Sequence, residues 1–314
     1  MNTATLMEVP CIETRGRDDI GAEGAAAFRA SGLLILRGLL RGDELTALRR
    51  ETLALVQQAE RTAPGADPDI AHKRHALSGA SVPFRIEYVV DKSPACRALA
   101  GHPFILRSVE RLQGRNFIPT WDSCVFKNAG AGAAIPWHRD AGREQVGDSP
   151  IFNVDFYLDE ADLSNCLWGF PGSHEWPQDE ADARLRELNR GGEAGAFETQ
   201  GALPIPLQPG DVLLHNILAL HGSPACRSQL RRVLYFEYRP VETELRIGPH
   251  TPAYIPLKQR VLQACLKARR AAGYAAGEKP YRYEPLSPFQ GFENLPEPAR
   301  LRYPHAEYWR ESSA

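Results

Sequence analysis

His138 and Asp140 stand two residues apart in the run Pro136-Trp137-His138-Arg139-Asp140. If that run is extended, both side chains leave the same face of the strand and can meet at one metal ion. A third ligand from elsewhere would complete a set of two histidines and one carboxylate, which leaves three coordination positions open. Mixed nitrogen and oxygen donors with open positions suit Fe(II). Alone, a His-x-Asp pair is a weak signal, because it recurs by chance and an isolated histidine more often packs or faces solvent.

The second half of the pattern lies downstream. Gln208-Pro209-Gly210-Asp211-Val212-Leu213-Leu214 reads as a turn feeding an apolar strand, and His221-Gly222-Ser223 follows it. Eleven residues after His221 stands Arg232, opening the strand Val233-Leu234-Tyr235-Phe236. A guanidinium returning at that distance could grip a carboxylate through two parallel hydrogen bonds. Arg231 competes with it, and strand alternation sends the two to opposite faces, so only one of them can reach the site. His221 is preferred as third ligand over His215 and His174, since only His221 has both the Gly-Ser and the distal arginine. His215 is expected to be a supporting residue. Ser223 could donate to the same carboxylate or be an ordinary turn serine. Lys127, eleven residues before His138, offers a second cation or a solvated lysine.

The elements that must position these groups can be read from periodicity. The chain has 314 residues with 43% hydrophobic content, enough for a sizeable core. Residues 20–30 read as a helix stopped at Ser31-Gly32, residues 33–36 as a short strand, and residues 44–60 as a helix capped by Asp43. The polar stretch 61–82, with Pro64, Gly65, Pro68 and Gly79, reads as a loop of the length that often serves as a lid. Residues 93–112 are helical. From residue 115 short strands alternate with turns: 116–126, 151–158, 167–170, 212–214 and 232–238, the spacing of a sandwich or barrel. A helix over 179–190, ended by Gly191-Gly192, interrupts them. An amphipathic helix covers 256–272, and a Pro- and Tyr-rich tail wraps the surface.

Bulk properties exclude several classes. The net charge of −2 and the absence of a long like-charge block argue against nucleic acid or an anionic membrane as partner; the run 227–232 is the most basic stretch. No stretch approaches the ~18 apolar residues of a membrane span. The opening residues lack an apolar signal core, so a cytoplasmic location is expected. Six scattered cysteines without a C-x-x-C pair point to reduced thiols rather than a disulfide framework or zinc ribbon.

With these pieces in place, the chain resembles the phytanoyl-CoA dioxygenase-like family of Fe(II)/2-oxoglutarate oxygenases. The matching pieces are PWHRD, the turn Pro171-Gly172-Ser173-His174, PGDVLL, HGS and the distal Arg232, in the family's order over about residues 25–240. The resemblance implies a mostly β fold with flanking helices, built on a double-stranded β-helix (jelly-roll, cupin-like) core. One domain would then span 1–314, with a helical part over about 20–112, the core over about 115–240 and a C-terminal helix and tail over 241–314. It also implies Fe(II) held by His138, Asp140 and His221, 2-oxoglutarate held by Arg232, and O2 as oxidant; Ser223 and Lys127 stand beside Arg232 as further candidates for the co-substrate. The products would be succinate, CO2 and an oxidised small molecule: hydroxylated, or in variants of the chemistry cyclised or desaturated. Asp140 fills the carboxylate position, which excludes a halogenase of this class. Departures from the family pattern fall at Asn165-Cys166, Cys226 and Asp155.

Asp155 bears on substrate choice. Asn153, Asp155 and Tyr157 share one face of a strand whose other face is Phe152, Val154, Phe156 and Leu158. That face could instead look at solvent, but an inward Asp155 needs a partner, so Asp155, with Asn153, is expected to contact a cationic or hydroxyl-rich substrate. With no basic cluster suited to a CoA diphosphate outside residues 227–232, a polar small molecule of specialised metabolism is preferred. Trp121, Trp137 and Trp168 are expected in the core. Two other readings remain. A non-catalytic jelly-roll binding protein would have lost a ligand or the arginine. A zinc hydrolase on the same three ligands leaves Arg232 unexplained and has no evident general base.

Overall fold

The computed structural model describes residues 8–75, 78–129, 132–147, 149–190, 197–226, 229–284 and 300–310. Two facing sheets form a double-stranded β-helix flanked by helices. The larger sheet runs in the order β1 (Cys11–Glu13), β2 (Leu33–Arg37), β10 (Val212–Asn216), β7 (Phe152–Tyr157), β12 (Arg231–Pro240), β5 (Phe117–Lys127), β4 (Ser81–Glu87) and β3 (Ile70–Arg74). The smaller runs β6 (Ile135–His138), β11 (His221–Ser223), β8 (Leu167–Gly169) and β9 (Leu203–Ile205). Pairing is antiparallel except between β1 and β2.

Strand alternation divides the apolar residues into two cores. The outer face of the larger sheet offers Leu34, Leu36, Val154, Phe156, Leu214, Leu234 and Phe236, which pack under the helices. These are α1 (Gly21–Ser31), α2 (Gly42–Arg61), α3 (Val89–Lys92), α4 (Pro94–Ala100), α5 (Pro103–Gln113) and α8 (Tyr254–Ala271). Its inner face turns Leu33, Ile35, Tyr157, Leu213 and Val233 toward Trp137, Leu167 and Trp168 of the smaller sheet. Each large apolar side chain buried this way stabilises the fold by about 1.5–3 kcal/mol. Helices α6 (Gln178–Leu188), α7 (Val241–Ile247) and α9 (His305–Tyr308) lie on the connections.

The expected helices and strands recur with ends shifted by a few residues, and three expectations need correction. The stretch 61–82 is not a lid loop throughout: β3 and the start of β4 pair within it and extend the larger sheet. Its prolines and glycines sit in the turns, with Gly79 at φ +67°, and so hid two short strands. Asp43 does not cap α2. The helix begins at Gly42 after Arg41, and no side chain caps it; Asp43 instead sits in the first turn, where its charge suits the helix dipole. Trp137 and Trp168 are buried as expected, but Trp121 lines a cavity. Gly191, Gly192 and Arg227 lie outside the described residues, as does much of the tail.

Candidate active site

The cross-strand register assembles the site. β11 pairs with β6 so that His221 stands directly opposite His138, and their rings lie 4.2 Å apart. Asp140 follows just beyond β6, held by its N–H on the Ile217 carbonyl at 2.9 Å. The donor atoms of His138, Asp140 and His221 all lie within 4.8 Å of one another. His138 donates Nδ1–H to the Pro136 carbonyl at 2.8 Å, and His221 does the same to Ala219 at 2.9 Å. Each bond leaves Nε2 as the free lone pair, and both Nε2 atoms face Asp140 Oδ1, at 3.4 and 3.7 Å. Such backbone anchoring of the far nitrogen is how metal-ligating histidines are oriented. The donor set therefore fits a divalent metal with open positions.

The electrostatics agree. Burial above all pushes His221 down to about 3, so its imidazole is neutral and ready to coordinate. Burial opposes ionisation of Asp140, but His221, His138 and His215 outweigh it and hold the carboxyl well below its usual range.

Asp140 has a second tether. Its Oδ2 accepts hydrogen bonds from His215 Nε2 at 3.0 Å and Asn153 Nδ2 at 3.0 Å. Behind His215, Asp155 Oδ2 lies 2.6 Å from Nδ1, and neither Asp155 nor His215 has any exposed surface. Burial would lower His215, but Asp155 and then Asp140 raise it to about 10. Asp155 is thus a correction to expectation: it points inward, but its partner is His215 rather than a substrate. Asn153 does reach the cavity wall, with its amide committed to Asp140.

The arginine pair also departs from expectation. Arg232 lies on the helix side of β12, where Asp159 takes its Nε and Nη2 at 2.8 Å each and the Arg49 carbonyl takes Nη1 at 2.6 Å. Arg231 occupies the inner face. Its side chain is fully buried, Nη1 donates to the Asn165 carbonyl, and Nε and Nη2 have no partner among the described residues. Alternation was the right rule, and the polar residues in phase with Arg231, namely Tyr235 and Glu237, mark which face it takes. Lys127 stands opposite Arg231 in register and donates to Ser223 Oγ at 2.7 Å. Burial, then the charge of Arg231, hold Lys127 well below its ordinary value. Among the described residues Arg231 and Lys127 hydrogen-bond only to neutral acceptors, and side by side they would suit an anion.

A cavity of about 340 Å3 opens from the triad and passes Ser123, Val125 and Tyr235. Its outer end is formed by residues that the sequence alone did not single out: Arg85, Glu237, Arg239, His250 and Trp309, joined by Trp121.

Fold and triad together are those of a jelly-roll enzyme with a His-Asp-His donor cluster. The sequence profile of the phytanoyl-CoA dioxygenase family matches residues 28–233, and the chain belongs to that family. It is 24% identical over 254 residues to phytanoyl-CoA dioxygenase domain-containing protein 1 of Danio rerio, spanning 66% of this chain and 86% of that one. The crystal structure of EvdMO1 superposes with a TM-score of 0.56 at 26% identity, over 68% of this chain but 48% of that one, so this chain spans about half of that relative's length. The structure of EctD from S. alaskensis with 2-oxoglutarate and 5-hydroxyectoine superposes with a TM-score of 0.57 at 22% identity, covering 75% of this chain and 81% of that one. At that identity the likeness is one of fold. Among the described residues no helix is long and apolar enough to cross a membrane.

Proposed function

We propose that the chain is an Fe(II)- and 2-oxoglutarate-dependent oxygenase that hydroxylates a small polar molecule, with His138, Asp140 and His221 holding the iron. The observation that carries this reading is the pairing of the triad with the buried cations Arg231 and Lys127 on the same inner face. Zinc hydrolysis needs the triad and has no use for an anion seat beside it. A binding protein without turnover would have no reason to keep both.

Bound iron would supply the activation of dioxygen and the oxidative decarboxylation of 2-oxoglutarate to succinate and CO2. The protein's contribution is binding, orientation and exclusion of water. Arg231 takes the distal carboxylate of 2-oxoglutarate with its free Nε and Nη2, and Lys127 adds a second charge through the Ser223 corner. His215 and Asn153 hold Oδ2 of Asp140, which would leave Oδ1 as its donor to a metal held there. Apolar walls at Val125, Ile135 and Leu167 keep the co-substrate end dry. A cytoplasmic setting in specialised metabolism is the context we assign.

The test is spectroscopic. Anaerobic addition of Fe(II) and 2-oxoglutarate should give the visible charge-transfer band of a keto acid chelated to iron. It should disappear in Asp140→Ala and require far more 2-oxoglutarate in Arg231→Met. Tight retention of zinc with no band in the wild type would favour the hydrolase.

A further inference from the structure

The family profile stops at residue 233, and the outer end of the cavity is made largely of residues beyond it. Glu237 and Arg239 lie on β12 past the shared stretch. His250 follows α7, and Trp309 arrives from the far C-terminus. The segment 300–310 is tied down at both ends. Arg302 grips Asp69 with two parallel hydrogen bonds of 2.8 and 2.7 Å, and Arg310 donates to the carbonyls of His250 at 2.7 Å and Glu244 at 2.8 Å. Between these clamps Trp309 bridges to His250, backed by Arg310 N–H on the Pro249 carbonyl at 2.8 Å.

Trp309 is 48% exposed. The other exposed large apolar residues among those described, Leu53, Leu163 and Leu245, line no part of this cavity, whereas Trp309 does. A large aromatic held rigidly at a cavity mouth with one side bare is a surface prepared for a ligand. Trp121 lines the same end; the His305 ring stacks on it at 3.8 Å.

The charged groups at this end stand in pairs, with Arg85 Nε alone lacking a hydrogen bond among those described. Arg239 Nε lies 2.7 Å from Glu237 Oε1, which also accepts from Thr120 Oγ1 at 2.6 Å, and Arg85 Nη2 lies 2.9 Å from Glu87. A ligand with a net charge would meet a cation whose anion is in place, or the reverse, and would be desolvated without a full partner. A hydroxyl or amide could hydrogen-bond to such pairs without upsetting them.

We infer that the C-terminal segment is the substrate-selecting wall of the active site. Trp309 stacks on the flat apolar face of a compact substrate of no net charge, and the Glu237–Arg239 pair takes its hydrogen-bonding edge. This rests on the oxygenase reading above, and the experiment separates the two.

The enzyme loaded anaerobically with Fe(II) and 2-oxoglutarate is titrated with benzyl alcohol, benzoate and benzylamine, which share a ring and differ in charge. Binding is followed by tryptophan fluorescence and by the charge-transfer band. The alcohol should bind about tenfold more tightly than either ion; Trp309→Ala should weaken it about tenfold, and Trp309→Phe should restore most of that. The 2-oxoglutarate band without ring compound should be the same in all three proteins. Equal or tighter binding of either ion, no measurable binding of the alcohol, or an unchanged affinity in Trp309→Ala overturns the inference. If the band never forms, the iron and 2-oxoglutarate reading fails instead, and the ring titration is then judged by fluorescence on metal-free enzyme.

Discussion

Asp155 Oδ2 lies 2.6 Å from His215 Nδ1, and this pair, with no exposed surface, props the outer oxygen of the carboxylate expected to bind iron. The relationship explains why an ionisable residue sits in the middle of β7 among apolar neighbours. Its burial costs free energy that the partnership with His215 chiefly offsets.

Asp155→Ala should therefore act on the metal and not on substrate choice. Partners that orient a metal ligand typically contribute 10–100-fold in affinity, so the Fe(II) dissociation constant should rise by about that factor. Asp155→Asn, which can still accept from Nδ1, should lose less. Anaerobic titration with Fe(II) measures both. An unchanged iron affinity with an altered substrate preference would return Asp155 to the substrate.

The two adjacent arginines should separate cleanly. Arg231→Met should raise the KM for 2-oxoglutarate by about tenfold to a hundredfold, the worth of a charge-assisted hydrogen bond or two. Its effect on folding should be small, because two of its nitrogens have no partner to lose. Arg232→Met removes both side-chain bonds to the buried Asp159, which keeps the backbone N–H of residue 232 at 3.0 Å and Arg49 at 3.5 Å, and should cost about 1.5–3 kcal/mol of stability, with KM nearly unchanged. Steady-state kinetics beside denaturant unfolding reads both arms.

Much of this was legible in the sequence. The strand framework follows from a two-residue period and apolar runs, which are local properties. The grouping of His138, Asp140 and His221 is expected from the His-x-Asp pair together with the family resemblance, and the structure brings their donor atoms within 4.8 Å of one another. Arg231 was harder. Counting from His221 favoured its neighbour, and only the phase of Leu234 and Phe236 against the helices assigns the outer face to Arg232. The two-residue period turns Asp155 inward, but its partner His215 comes from another strand, adjacent only once β10 and β7 are in register. Trp309 lay beyond reach altogether, since nothing local says that a tail tryptophan returns to a cavity built some two hundred residues earlier.

Lys127 gives a pH test in the metal-free protein. Its folded value is lowered from 10.5, so the unfolded chain binds the proton more readily. Stability must then rise with pH between the lowered value and 10.5, as the unfolded state alone remains protonated. Lys127→Met should abolish that rise and should make the metal-free protein more stable at neutral pH, while raising the KM for 2-oxoglutarate. Saturating 2-oxoglutarate with iron should flatten the wild-type slope. Thermal unfolding across pH 7 to about 10 detects these changes.

The most direct test of the central claim is succinate production from 2-oxoglutarate with anaerobically added Fe(II), followed by admission of O2. The wild type should form succinate in step with 2-oxoglutarate consumed, faster when a true substrate is present. His138→Ala, Asp140→Ala and His221→Ala should each form none above background. Succinate formation that persists without Asp140, or none from the wild type across a broad panel while zinc stays bound, would contradict the account.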